Sequence, residues 1–164
     1  MTEILIQYFN GGKIEVFQTV DRSAADFKKI IACCDHFAKQ GKRTLITPSF
    51  SETIGNPDYA IIYASLKGTP FWGKCPDFCV EGYWYEYEGY DESKDLSNLH
   101  RKADTFSLMM RRGLKQSDRV ILEDCDVSRS YVRRNLYNRV HFEKQNITEV
   151  YFRTSAGLEL IYKK

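Results

Sequence analysis

The chain lacks an apolar run of about 18 residues, so it offers no transmembrane helix. Its start, Met1-Thr2-Glu3-Ile4, has no basic segment and no cleavage signal, and no secretory leader is expected. There is no glycine-rich phosphate loop, no dinucleotide fingerprint and no nucleophile elbow. Five cysteines, an odd number with Cys33 beside Cys34, do not make a disulfide framework. Reduced thiols and a cytoplasmic location are the expectation. Cys75 and Cys79 have the wrong spacing for a zinc knuckle, and in a strand they lie well apart along one face. His36, His100 and His141 are isolated. Strong charge of one sign is missing too: 24 basic against 22 acidic residues leave a net charge of +2.

What is present suits one folded domain over residues 1–164. The 43% apolar content excludes wholesale disorder, and the length allows a useful core. Repeats and low-complexity segments are absent. Charge is unevenly distributed despite the small net value. Acids crowd the stretch from Asp77 to Asp95, and bases dominate from Arg101 to Arg139. An acidic cluster followed by basic helices suits a metal site flanked by a phosphate-binding surface. The competing explanation is that these arginines are simply the solvated faces of amphipathic helices.

Periodicity predicts a mixed α/β (α+β) fold, a β-sheet flanked by helices. A β-hairpin over residues 1–20 turns at Asn10-Gly11-Gly12, ahead of a core over 22–164. Ser23 is expected to cap a helix running to Gln40, followed by a strand over Arg43–Thr47. Tyr59 to Ala64 alternates weakly and is read as another strand. A helix is expected from Leu99 to Gln116, a buried strand over Arg119–Leu122, and a helix capped by Ser128. A final strand pair surrounds Ser155-Ala156-Gly157.

The segment Cys75 to Glu88 carries the chemistry. It reads as two strands joined at Glu81-Gly82, a relative of the Asp-Gly hairpin turn. That turn pairs Val80 with Tyr83, Cys79 with Trp84, and Phe78 with Tyr85. Asp77 then faces Glu86, and Asp77, Glu86 and Glu88 share one side of the ladder. Like charges across a ladder repel, so such a set calls for a counter-ion. The usual one is a hard divalent cation, Mg²⁺ or Mn²⁺. The simpler alternative is an acidic, solvated hairpin face with the tyrosines packed beneath it. Trp84, placed beside the carboxylates, is a candidate for stacking an unpaired base.

These residues resemble a known family. Pro76-Asp77, a short gap, then Glu86-Tyr87-Glu88 is similar to the core motif of PD-(D/E)xK nucleases. Lys115-Gln116-Ser117-Asp118, between a helix and the strand Arg119–Leu122, resembles the closing segment of the CdiA-type C-terminal tRNase domains of contact-dependent growth-inhibition toxins. The resemblance spans roughly Asp26 to Tyr162. It implies a restriction-endonuclease-like core with Asp77 and Glu86 as metal ligands for Mg²⁺ or Mn²⁺. Gln116, with Lys115, would contact phosphate or the attacking water. It also implies RNA, tRNA included, over DNA as substrate, and an immunity or regulatory protein as partner. The helix acid common in the family would be Asp26 or Asp35. The toxins carry a large export stalk with no counterpart in these 164 residues, so a standalone relative is expected.

One departure stands out. The family's Lys is replaced by Glu88, which would orient or deprotonate the water, add a metal ligand, or mark a degenerate site. The catalytic set on this reading is Asp77, Glu86, Glu88 and Gln116. The nucleic-acid contacts are Trp84, Arg101, Lys102, Arg111, Arg112 and Lys115. The reading from another class is a catalytically inactive nuclease-fold module that binds nucleic acid or a protein.

Overall fold

Asn10, Gly11 and Gly12 reverse the chain because Gly11 takes a left-handed φ of 90° while the Asn10 Oδ1 accepts from Gly12 N at 3.0 Å. The turn joins β1 (Thr2–Gln7) to β2 (Lys13–Phe17) in an antiparallel pair. It also abuts the end of helix α1 (Phe27–Ala38), where Asn10 Nδ2 donates to the Lys39 carbonyl at 2.9 Å. Gly12 is required by contact: a Cβ there would stand 1.7 Å from the Ala38 carbonyl oxygen. The computed structural model describes residues 1–91 and 99–164, with side chains of the second stretch described from Lys102 onward.

The fold is α+β, with mixed strand pairing flanked by helices. The chain divides into two units. The first comprises residues 1–86 with 115–117, and the second residues 87–114 with 118–164.

In the first unit the strands follow sequence order. β2 runs parallel to β3 (Arg43–Ile46), which α1 makes possible by crossing over between them. β3 is antiparallel to β4 (Phe78–Val80), and β4 to β5 (Tyr83–Glu88). α1 buries Phe27, Cys33, Cys34, Phe37 and Ala38. Phe37 meets Tyr85 at 5.0 Å between ring centroids, and Phe78 stacks on Tyr85 at 5.5 Å. Aromatic pairs of this kind contribute about 0.5–1.5 kcal/mol beyond the area they bury.

Two expectations are corrected here. Tyr59 to Ala64 is not a strand. Asn56 accepts from the amides of Asp58 and Tyr59, Pro57 opens the first turn, and α2 (Pro57–Ile62) follows, with a short 3₁₀ turn at Ala64–Leu66. That capping outweighs the weak alternation. The first helix begins at Phe27, not at Ser23. Ser23 spends its amide and hydroxyl on Asp21, and Asp26 takes the capping position without a side-chain bond.

In the second unit, α3 (Leu99–Gly113) is followed by β6 (Arg119–Glu123), α4 (Arg129–His141), β7 (Glu149–Thr154) and β8 (Gly157–Lys163). β6 pairs parallel with β7, and β7 antiparallel with β8. Ser128 caps α4 as its sequence implies, its hydroxyl accepting from the Tyr131 amide. Phe106, Met109 and Met110 of α3 and Val132 and Leu136 of α4 pack with Val120, Leu122, Val150 and Phe152 in one core. Arg153 grips Glu123 with two bonds of 2.7 Å, and the Tyr87 hydroxyl donates to the same carboxylate. Charge-assisted, two-pronged pairs of this kind are among the stronger hydrogen bonds.

The hairpin turn yields a ranked prediction. Gly12→Ala collides with backbone and is expected to cost about 2–4 kcal/mol. Gly11→Ala meets no atom within 4 Å and should cost only the conformational strain of its positive φ, about 1 kcal/mol. Chemical denaturation of both variants tests this; equal losses would show that contact with α1 does not set the requirement.

Candidate functional site

The acidic hairpin is built from its turn. Glu81 and Gly82 have φ of 48° and 90°, the two left-handed positions of a type I′ turn. A glutamate there is strained by about 1 kcal/mol. It is held by β3: Glu81 Oε1 accepts from Arg43 N at 2.8 Å, and Glu81 N donates to the Arg43 carbonyl at 3.1 Å. The resulting register is Val80 with Tyr83, Cys79 with Trp84 and Phe78 with Tyr85, as the two-residue turn requires. The paired register ends there, and Asp77 stands in a bend just before β4. The Thr47 amide donates to the Asp77 carbonyl at 3.1 Å, so Asp77 is still paired with the segment that continues β3. Alternation turns Phe78, Val80 and Tyr85 toward α1 and leaves Cys79, Trp84 and Glu86 on the other face.

That other face carries an aromatic cluster. Tyr59 stacks on Tyr63 at 4.9 Å, and Tyr63 lies 4.8 Å from Trp84. The Tyr63 hydroxyl donates to the carbonyls of Pro48 (2.8 Å) and Pro76 (3.1 Å). Thr47 Oγ1 reaches the carbonyls of Pro76 and Asp77 at 2.9 and 3.2 Å. The backbone entering β4 is thereby fixed on two sides. Burial pushes the Tyr63 hydroxyl far above its usual pKa, and the charges of Cys75, Asp77 and Glu86 push the same way. Both carboxylates thus act on one phenol.

Glu86 is buried, at 6% exposure, and Asp77 is half-buried. Asp77 borders a cavity of about 270 Å³ shared with Asp26, Ile30, Thr47 and Ser49. Of the two helix acids, Asp26 therefore comes to the Asp77 cavity. Asp35 is occupied by the Tyr8 hydroxyl and by Lys39. Gln116 comes to the same strand pair, its Oε1 accepting from Cys75 N at 3.3 Å. The neighbouring Ser117 Oγ donates to the Trp84 carbonyl at 2.7 Å.

Glu88 belongs to the second unit and is half-buried beside Gly113. A Cβ on Gly113 would lie 3.3 Å from Glu88 Cγ and 2.9 Å from Val120 Cγ1. Among the described residues no three His, Cys, Asp or Glu side chains form a ready cation cage. Asp77 and Asp26 line that cavity, and carboxylates at an open cavity suit Mg²⁺. That ion keeps several waters and is commonly bound by one or two carboxylates plus substrate phosphate. The donor set of Asp77 and Glu86 is all oxygen and fits it.

The Trp84 indole is half-buried, its N–H spent on Ser65 Oγ at 2.7 Å. Lys102 pairs with Asp126 at 3.0 Å, while Arg111, Arg112 and Lys115 are exposed. The side chains of His100 and Arg101 and the charged loop over 92–97 lie outside the described residues. Sequence reading missed Tyr63, Thr47 and Ser65. A buried tyrosine needs a partner for its hydroxyl, but nothing local marks which tyrosine is buried. Among the described residues no helix is long and apolar enough to cross a membrane. Compared with protein-family models, curated proteins and solved structures, the chain matches none.

The thiols are quiet. Burial raises the pKa of Cys34, Cys75 and Cys79, and lifts that of Cys125 to about 11. Cys33 is buried as well. Native protein at pH 7.5 should therefore show no fast-reacting thiol toward a disulfide reagent, and all five only after unfolding. A rapid burst from the native state would contradict this. Because the Cys125 pKa is raised from 9.0, its contribution to stability is complete below pH 9.0 and is lost as pH rises through about 11. Melting temperatures at pH 8 and 10.5 should fall further for wild type than for Cys125→Ala.

Proposed function

We propose that this chain is a metal-dependent phosphodiesterase acting on RNA. The observation that carries the reading is the register of β4 against β5. It brings Asp77, just ahead of β4, and Glu86, on β5, to the same hairpin, with both charges acting on Tyr63 and with Gln116 bonded to the Cys75 amide ahead of β4. The element order α1, β3, β4, β5, α3, β6 supports it as well, since it follows the core order of the family that the motifs resemble. RNA is preferred to DNA on that resemblance, with tRNA among the candidates.

Asp77 and Glu86 would hold Mg²⁺ or Mn²⁺. The bound ion supplies charge stabilisation at phosphate and a more acidic water. Gln116 positions through its amide, and Lys115 offers a cation for phosphate. Glu88 stands where the family has Lys and is the residue whose role decides between a working and a degenerate site. It also motivates a second reading, a nuclease-fold module that binds nucleic acid or an immunity-type protein without cutting.

Cleavage of a mixed RNA pool with Mg²⁺ or Mn²⁺ tests the proposal. Asp77→Asn and Glu86→Gln preserve shape and should each reduce the rate at least about a thousandfold, as loss of essential charge does at such sites. Mn²⁺ should raise the melting temperature of wild type and not of Asp77→Asn. Glu88→Lys should keep or increase activity if Glu88 fills the family's Lys role, and lower it if Glu88 is a metal ligand. Wild type that cuts neither RNA nor DNA with any divalent ion, yet binds them in a salt-sensitive way, would remove the enzyme and leave the binding module.

A further inference from the structure

α4 has two unlike faces. Val132 and Leu136 are buried in the core of the second unit. Arg133, Arg134, Tyr137, Asn138 and His141 recur at helical spacing on the other side, and all are exposed. Tyr137 is 55% exposed and Phe142, just past the helix, 73%. The Tyr137 ring lies 4.2 Å from His141 and 6.0 Å from Phe142, so three rings form one outward patch. Aromatic rings clustered in solvent are costly to leave bare and point to an occupant.

The patch is held in place. The amides of Phe142 and Glu143 both donate to the Asn138 carbonyl, and the Gln145 amide donates to that of Arg139. Half-buried Arg139 then clamps the turn, bonding Asn135 Oδ1 at 2.7 Å and Gln145 Oε1 at 3.1 Å. Phe142 is thus presented by a structured cap. Charge around the rings is mainly positive. Glu143 is the only acid between Arg129 and Asn146, and it accepts from Gln145. Arg129 is committed to Asp124 and Glu159. Arg133, Arg134 and Lys144 are exposed, and no ion pair is formed by them among the described residues.

Rings interleaved with solvent-facing cations match one ligand chemistry closely. Unpaired bases stack on aromatic faces while arginine and lysine meet the phosphates. A duplex hides its base faces and uses only the cations. We propose that the outer face of α4, with Tyr137, His141 and Phe142 as stacking surfaces and Arg133, Arg134 and Lys144 as phosphate contacts, binds single-stranded RNA. The proposal shares its ligand with the cleavage reading but not its carboxylates, so binding is measured in EDTA, where no cutting intervenes.

The probe is a fluorescently labelled oligouridylate, with an RNA duplex of the same length as control, titrated by anisotropy. Tyr137→Ala and Phe142→Ala should each weaken oligouridylate binding about tenfold and leave duplex binding unchanged. Tyr137→Phe keeps the ring and should restore affinity. Arg133→Ala with Arg134→Ala should weaken both ligands. It should also flatten the plot of log affinity against log salt for the single strand by about 1.4. All these side chains are exposed, so circular dichroism melts should match wild type. Wild type that fails to bind oligouridylate overturns the proposal. So do alanine variants that bind it normally, a result that leaves the face to a protein partner. A protein that binds through α4 but never cleaves would leave this inference standing and remove the nuclease one.

Discussion

Two consecutive residues with positive φ govern the acidic hairpin. A type I′ turn twists with its strands and allows one register only, and a slip of one residue would send every side chain to the opposite face. Glycine meets the second position without strain, but Glu81 does not meet the first so easily. Its carboxylate and amide both bind Arg43, so the strain is offset on a neighbouring strand. β3 thus enforces the turn, and the turn enforces the register from Val80–Tyr83 to Phe78–Tyr85.

The face bearing Glu86 is braced by phenols and hydroxyls. Tyr63 and Thr47 hold the carbonyls of Pro48, Pro76 and Asp77, the last of which also accepts from the Thr47 amide. With its proton tightly kept, Tyr63 acts as a fixed donor over the working pH range. A buried carboxylate beside such a donor is placed by a framework that does not titrate with it. The second unit uses the same device differently, with Tyr87 donating to the Glu123 that Arg153 grips.

What the sequence made legible follows from which signals are local. Alternation and a two-residue turn are local, so the β4–β5 register and the terminal β7–β8 pair were readable in advance. Ser128 as a cap was readable for the same reason. Tyr59 to Ala64 carries only a faint period of two, whereas Asn56-Pro57-Asp58 is a stronger start signal for a helix. The cavity joining Asp26 to Asp77 was beyond sequence reading, since it depends on where α1 comes to rest. The same holds for Trp84, whose indole partner Ser65 lies in a 3₁₀ turn that no pattern marked. The stacked rings on α4 were hidden differently: their spacing is helical, but whether they point inward is settled only by the core that Val132 and Leu136 join.

The three residues Lys115, Gln116 and Ser117 belong to the first unit, although α3 and β6 on either side of them belong to the second. The first unit is therefore discontinuous along the chain. A gene fragment ending at Glu86 would encode the carboxylates without the glutamine and serine that bond to their strands. Recombination could not transplant this site as an uninterrupted cassette, and any shuffled descendant would have to inherit the intervening α3 with it.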